Sequence, residues 1–193
     1  MKMTSGEIYQ KIEDAIYDFR MDPDDIVNPV EMASHYGVAT VYADFSGYDK
    51  LKDKLGYYRI DVIDGNNGKA KEYKHTICCR EDIGKKWLSF VLAHELAHFF
   101  IYKNGIMKLP DVSTIVDAFP VGSSTDNREI ACNLFAREML MPEGKYRKGV
   151  DFYSMRGIAE EKRIVKYLAS DFVVPFEHAW KRGVDLGVFS NEE

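Results

Sequence analysis

His94, Glu95 and His98 stand inside FVLAHELAHFF, residues 90–100, one of the most apolar runs in the chain. Polar groups in such a run cost folding free energy unless something satisfies them. Their spacing is H-E-x-x-H. On a helix, positions i and i+4 lie one above the other, so both imidazoles can reach one ion. Glu95 is turned by about 100° from His94, so it can miss the ion yet reach a water bound to it. Water on zinc becomes acidic and needs a base, and a neighbouring carboxylate can serve. His94 and His98 are therefore expected as metal ligands and Glu95 as the general base. The competing reading, two core histidines sharing a helix face, gives a buried helix nothing in return for three polar side chains.

Zinc needs a third protein ligand and, in a catalytic site, keeps a fourth position open. The other histidines are His35, His75 and His178, and downstream acids include Asp111, Asp117, Asp126 and Glu129. Glu129 opens a second apolar-patterned segment, EIACNLFAREML, which can pack against the first. Spacing alone leaves two readings open. Glu129 can be the third ligand, or Asp126-x-x-Glu129 can be a capping box in which the glutamate satisfies a backbone N–H.

The scaffold for these groups is bounded by composition. The chain has 193 residues, 46% hydrophobic and 30% charged, which suits one domain, 1–193, with a sizeable core. It is neither a disordered nor a membrane composition. No apolar run is long enough to span a bilayer, and MKMTSGEIYQKIEDAIYDF lacks the apolar stretch of a signal peptide. A net charge of −5 argues against non-specific binding to nucleic acid or anionic membranes. The three cysteines, Cys78, Cys79 and Cys132, are an odd count, and without a signal peptide they point to a reducing, cytoplasmic compartment. They read as small apolar residues of a strand and a helix.

Helical spacing of Ile8, Ile12, Ala15, Ile16 and Phe19 predicts a first helix, with Thr4 and Glu7 as a capping box. A short helix is expected from Asn28, with Pro29 at its first position and Gly37 closing it. VATVYADF reads as a strand, and YYRIDVI and KHTICC as a long-looped hairpin around DGNNGKAKEY. Residues 38–103 thus hold the strands and an H-E-x-x-H helix from about Lys85 to Lys103, after N-terminal helices in 1–37. Residues 104–150 read as a long loop to 127 followed by the Glu129 helix, and 151–193 as C-terminal helices near 153–169 and 175–183. The class is α+β, a small sheet packed against the H-E-x-x-H helix.

LSFVLAHELAHFF and REIACNLFAREMLMP together resemble the ImmA/IrrE family of metallopeptidases. The second motif is matched at Glu129, Asn133, Phe135, Ala136, Leu140, Met141 and Pro142, with Cys132 where alanine is common and Met139 where leucine is common. VEMASHYGVATV and the hairpin are also similar, so the resemblance covers roughly residues 25–185. It implies a zincin-like fold with zinc held by His94, His98 and Glu129, and Glu95 as the base. Manganese and iron also suit this ligand set. Asn133, one turn after Glu129, fits a side chain that orients a ligand, or a simple buried asparagine. An oxyanion stabiliser is needed too, for which Tyr102, Tyr146 and His178 are candidates. The strand His75–Cys79 is a candidate edge for an extended substrate.

The resemblance further implies a regulatory protease of the kind found in bacteria, phages and mobile elements, acting on a helix-turn-helix repressor. The leading expectation is a zinc endopeptidase in which Glu95 activates the water. The alternative is a metal-containing regulator that works by binding a protein without cutting it. A third reading takes IVKYLASDFVVPFEHAWKRG as a DNA-binding helix-turn-helix; the few cations near His178, Lys181 and Arg182 favour two helices packed on the core instead. The about 25 residues ahead of the peptidase region are too few for a separate DNA-binding domain, so the repressor is expected as another chain.

Overall fold

The computed structural model describes residues 3–65, 70–120 and 125–190. Their order is α1 (Ser5–Ile12), α2 (Asp14–Phe19), α3 (Pro29–His35), β1 (Ala39–Ala43), β2 (Lys54–Ile63), β3 (Glu72–Arg80) and α4 (Lys85–Lys103). Then follow β4 (Thr114–Pro120), α5 (Asn127–Leu140), α6 (Glu143–Met155), α7 (Glu161–Asp171) and α8 (Phe176–Asp185). The class is α+β, a single small mixed sheet with helices packed on it. Strand order is β1-β3-β2-β4. β1 runs parallel to β3, and β2 runs antiparallel to both β3 and β4.

Local chemistry sets the helix starts. Thr4 accepts from the Glu7 N–H while the Glu7 carboxylate takes the Thr4 N–H, closing the capping box. Asn28 caps α3 ahead of Pro29, and Gly37 at φ 72° ends that turn in the left-handed region. The first helix is divided at Glu13, whose backbone stays helical, so Ile8, Ile12 and Ile16 keep one buried face. Helix α4 begins and ends where its pattern predicts and is buried continuously from Phe90 to Ile101. It lies on the sheet so closely at Gly56 that a β-carbon there would collide with the Val91 side chain.

Three expectations are corrected. The connection 104–127 is not all loop, because Thr114–Pro120 forms β4 on the free side of β2. Its pairing partner lies about sixty positions earlier, and Asp117 and Pro120 dilute the strand signal; residues 121–124 of the same connection lie outside the described residues. The helix expected at 153–169 is two helices, α6 and α7, parted by Gly157 at φ 81°. MPEG, just after α5, holds the start of α6. The strand His75–Cys79 is not an edge: β3 sits between β1 and β2. Among the described residues the edges are β1 and β4.

Candidate metal centre

Helices α4 and α5 pack against each other and bring their polar residues into one buried cluster. His94 and His98, one turn apart, point their Nε2 atoms at the Glu129 carboxylate. His94 Nε2 is 3.2 Å from Glu129 Oε2, and His98 Nε2 is 3.3 Å from Glu129 Oε1. Neither approach has hydrogen-bond geometry, and His94 Nε2 and both Glu129 oxygens are buried without a hydrogen bond. Orphaned polar atoms of this kind are rare in a folded interior.

The separations have a simple explanation. Bonds of about 2.0 Å from zinc to nitrogen and oxygen, set tetrahedrally, put two donors about 3.3 Å apart. The donors have the spacing that ligands of a common ion would have. The residues present therefore fit a divalent metal.

The capping-box alternative for Glu129 does not describe the geometry. Asp126 does cap α5 by accepting from the Arg128 N–H at 2.8 Å. The Glu129 carboxylate does not reach back to the Asp126 backbone; it is turned towards the two histidines. Asn133, one turn further on, places Oδ1 3.2 Å from His94 Nδ1. An Nδ1–H donating to that oxygen leaves the Nε2 lone pair facing Glu129, the tautomer a metal ligand needs.

Charge follows the same logic. Burial pushes the His94 pKa down, against the pull of Glu129. Burial also opposes a charge on His98, but Cys132, Glu129 and Glu95 outweigh it and hold its pKa well above the usual imidazole value. Burial would raise Glu129, yet the two imidazoles keep it far below the usual carboxylate range. An anionic carboxylate beneath two rings, with Glu95 beside them, attracts one positive group, either a proton or a metal ion.

Glu95 is wholly buried, and its charge acts on His98, Cys132 and Cys79. Phe119 of β4 packs edge-on against His94 with ring centroids 4.7 Å apart, bringing an edge strand up to the cluster. Sequence reasoning missed Phe119; its reading of Cys132 as a small buried residue of a helix holds, since Cys132 lies in the core cluster. Donor atoms of His94, His98 and Cys132 all lie within 4.8 Å of one another. The signal was present in the Glu129-x-x-Cys132 spacing, which puts both on one helix face. Burial pushes the Cys132 thiol up.

The other candidates fall elsewhere. His35 packs edge-on between Phe19 and Tyr36. His75 Nδ1 lies 2.6 Å from the Tyr58 hydroxyl. Asp111 pairs with Lys71 and Lys108 at the surface, and the Asp117 side chain is outside the described residues. Tyr146 is fully buried and donates its hydroxyl to the Ala179 carbonyl, which removes it as an oxyanion donor. His178 stacks on Phe90, one turn before His94, at a centroid distance of 3.5 Å. Helices α7 and α8 pack together, and Arg182 of α8 is bound to Glu138 and the Met141 carbonyl, so α8 belongs to the core.

No helix among the described residues is long and apolar enough to cross a membrane. No curated protein matches the chain with significance. Residues 33–182, well over half of the chain, match the peptidase M78 family, described as the IrrE N-terminal-like domain. With a buried histidine pair of metal-binding character on α4 and this match across the surrounding fold, the chain belongs to the ImmA/IrrE family of metallopeptidases.

Proposed function

We propose that the chain is a zinc-dependent endopeptidase that hydrolyses a peptide bond in a regulatory protein, a separately encoded helix-turn-helix repressor. The observation that carries the metal site is the spacing of His94, His98 and Glu129, at ligand distances and outside hydrogen-bond geometry. Zinc held by these three residues supplies Lewis acidity and lowers the pKa of the attacking water. With the metal bound, Glu95 would serve as the general base towards the attacking water and pass the proton to the departing amine nitrogen. Asn133 fixes the His94 ring through Nδ1. Phe119 supports β4 as the edge to which an extended substrate segment adds, in place of β3. The chain's acidic balance suits a basic DNA-binding partner, and its unpaired cysteines suit the cytoplasm.

A second reading is favoured by one observation. Cys132 beside the histidine pair offers a fourth protein donor, which suits a metal-containing regulator that binds its partner without cutting it.

The test uses the zinc-loaded protein and the repressor encoded beside its gene. Glu95→Gln is expected to keep zinc and lose cleavage by roughly 10²–10⁴-fold. Cleavage at the normal rate in that variant removes the assigned mechanism. Repressor release that persists in Glu95→Gln but disappears on metal removal selects the binding reading.

A further inference from the structure

Two packed helices each offer two donors on the facing side. On α4 these are His94 and His98, at i and i+4; on α5 they are Glu129 and Cys132, at i and i+3. The ring nitrogens and the Cys132 sulfur lie within 4.8 Å of one another, all three residues buried. The Glu129 oxygens lie 3.2 and 3.3 Å from the Nε2 atoms of His94 and His98. The cluster is not a closed polar network, since His94 Nε2 and both Glu129 oxygens have no hydrogen bond.

We propose that Cys132 is a fourth protein donor to the metal centre, occupying the position that a hydrolytic site leaves to water. The proposal rests on the metal reading above. Bonds of about 2.0 Å to nitrogen and about 2.3 Å to sulfur, set tetrahedrally, separate nitrogen and sulfur donors by about 3.5 Å. The observed envelope of 4.8 Å is within reach of that by small side-chain adjustment. Coordination replaces the thiol proton by the metal ion, and the proton leaves to solvent; no oxidant is needed.

A centre with four protein donors is closed, as structural zinc sites are. Peptide hydrolysis then requires the sulfur to give way, so the centre is latent while Cys132 is bound. Cys78 and Cys79, also buried but on β3, are internal controls for an ordinary core cysteine.

Cobalt titrated into the metal-free protein is the test, read by absorption and not by activity. One equivalent is expected to produce visible d–d bands together with a near-ultraviolet thiolate-to-cobalt charge-transfer band. Cys132→Ala and Cys132→Ser should each keep the visible bands and lose the charge-transfer band, while Cys78→Ala and Cys79→Ala keep both. The alanine and serine variants differ in polarity, so one remains informative if the other fails to fold. Visible bands without charge transfer in the unaltered protein overturn the thiolate donor and leave the His94–His98–Glu129 reading standing. So does a charge-transfer band that survives in Cys132→Ala. Absence of any cobalt band overturns both.

Discussion

Helix α5 carries two buried glutamates, Glu129 near its start and Glu138 near its end, each only 6% exposed. Glu138 is met by fixed cations. Arg20 donates to Oε1 at 2.8 Å, Arg182 donates to Oε2, and Arg182 also holds the Met141 carbonyl at 2.9 Å. This cluster ties α2, α5 and α8 together, with Arg137 and Asp185 paired beside it at 2.6 Å. Glu129 has no guanidinium. It faces two imidazoles that do not hydrogen-bond to it. The same residue type at the same burial is thus tied to guanidinium groups at one end and set against two imidazoles, the proposed metal ligands, at the other. A buried carboxylate whose cations are built into the chain contributes to the fold; the role proposed for Glu129 is to share its charge with a metal ion.

The comparison breaks most visibly at Glu138. Glu138→Ala leaves Arg20 and Arg182 buried without their partner, and a loss of about 3–5 kcal/mol is expected in urea unfolding. Zinc stoichiometry of the folded fraction should not change. A loss under about 1 kcal/mol would mean that Glu138 is not a staple.

Next in size is Asn133→Ala, which frees the His94 ring. Zinc affinity should fall 10–100-fold by competition with a chelator while the urea midpoint of the metal-free protein moves little. Unchanged affinity would make Asn133 a mere buried asparagine.

His178 tests the same idea with pH. Burial first, then Arg137, Lys181 and His94, push its pKa down to about 2. The unfolded chain takes up a proton there below about pH 6.5, and the folded chain does not until about pH 2. Stability is therefore lost as pH falls through this window, at up to about 1.4 kcal/mol per pH unit. His178→Phe should remove that share of the slope between pH 6 and 4; an acid limb identical to the parent's would show that His178 charges in the fold.

The smallest expected effect is the most discriminating. Glu129→Gln removes a buried charge whose counter-charge without metal is a protonated imidazole and no guanidinium, so stability without metal should fall, by less than in Glu138→Ala. A destabilisation as large as that of Glu138→Ala would erase the difference between the two ends of α5.

Much of this was legible in sequence, for identifiable reasons. Helix α4 was predicted at its bounds because its apolar pattern is continuous, and His94, Glu95 and His98 were singled out by their spacing on it. Thr4 and Glu7 were recognised because a capping box is local. Glu129 was ambiguous because its alternatives differ only in which way one carboxylate turns, and the packing of α5 on α4 decides that. β4 escaped because its strand character comes from pairing with β2. The α6–α7 break was lost because both sides of Gly157 are helical in texture. Cys132 was read correctly as a buried residue; that it also sits beside two histidines was not legible, because nothing in one helix shows what the next helix brings to it.

The central claim is that Glu129 holds the metal and Glu95 does not. Calorimetric titration of zinc into chelator-stripped protein tests it directly. One tight site per chain is expected, retained in Glu95→Gln and lost or severely weakened in Glu129→Gln. Undiminished zinc binding by Glu129→Gln would contradict it.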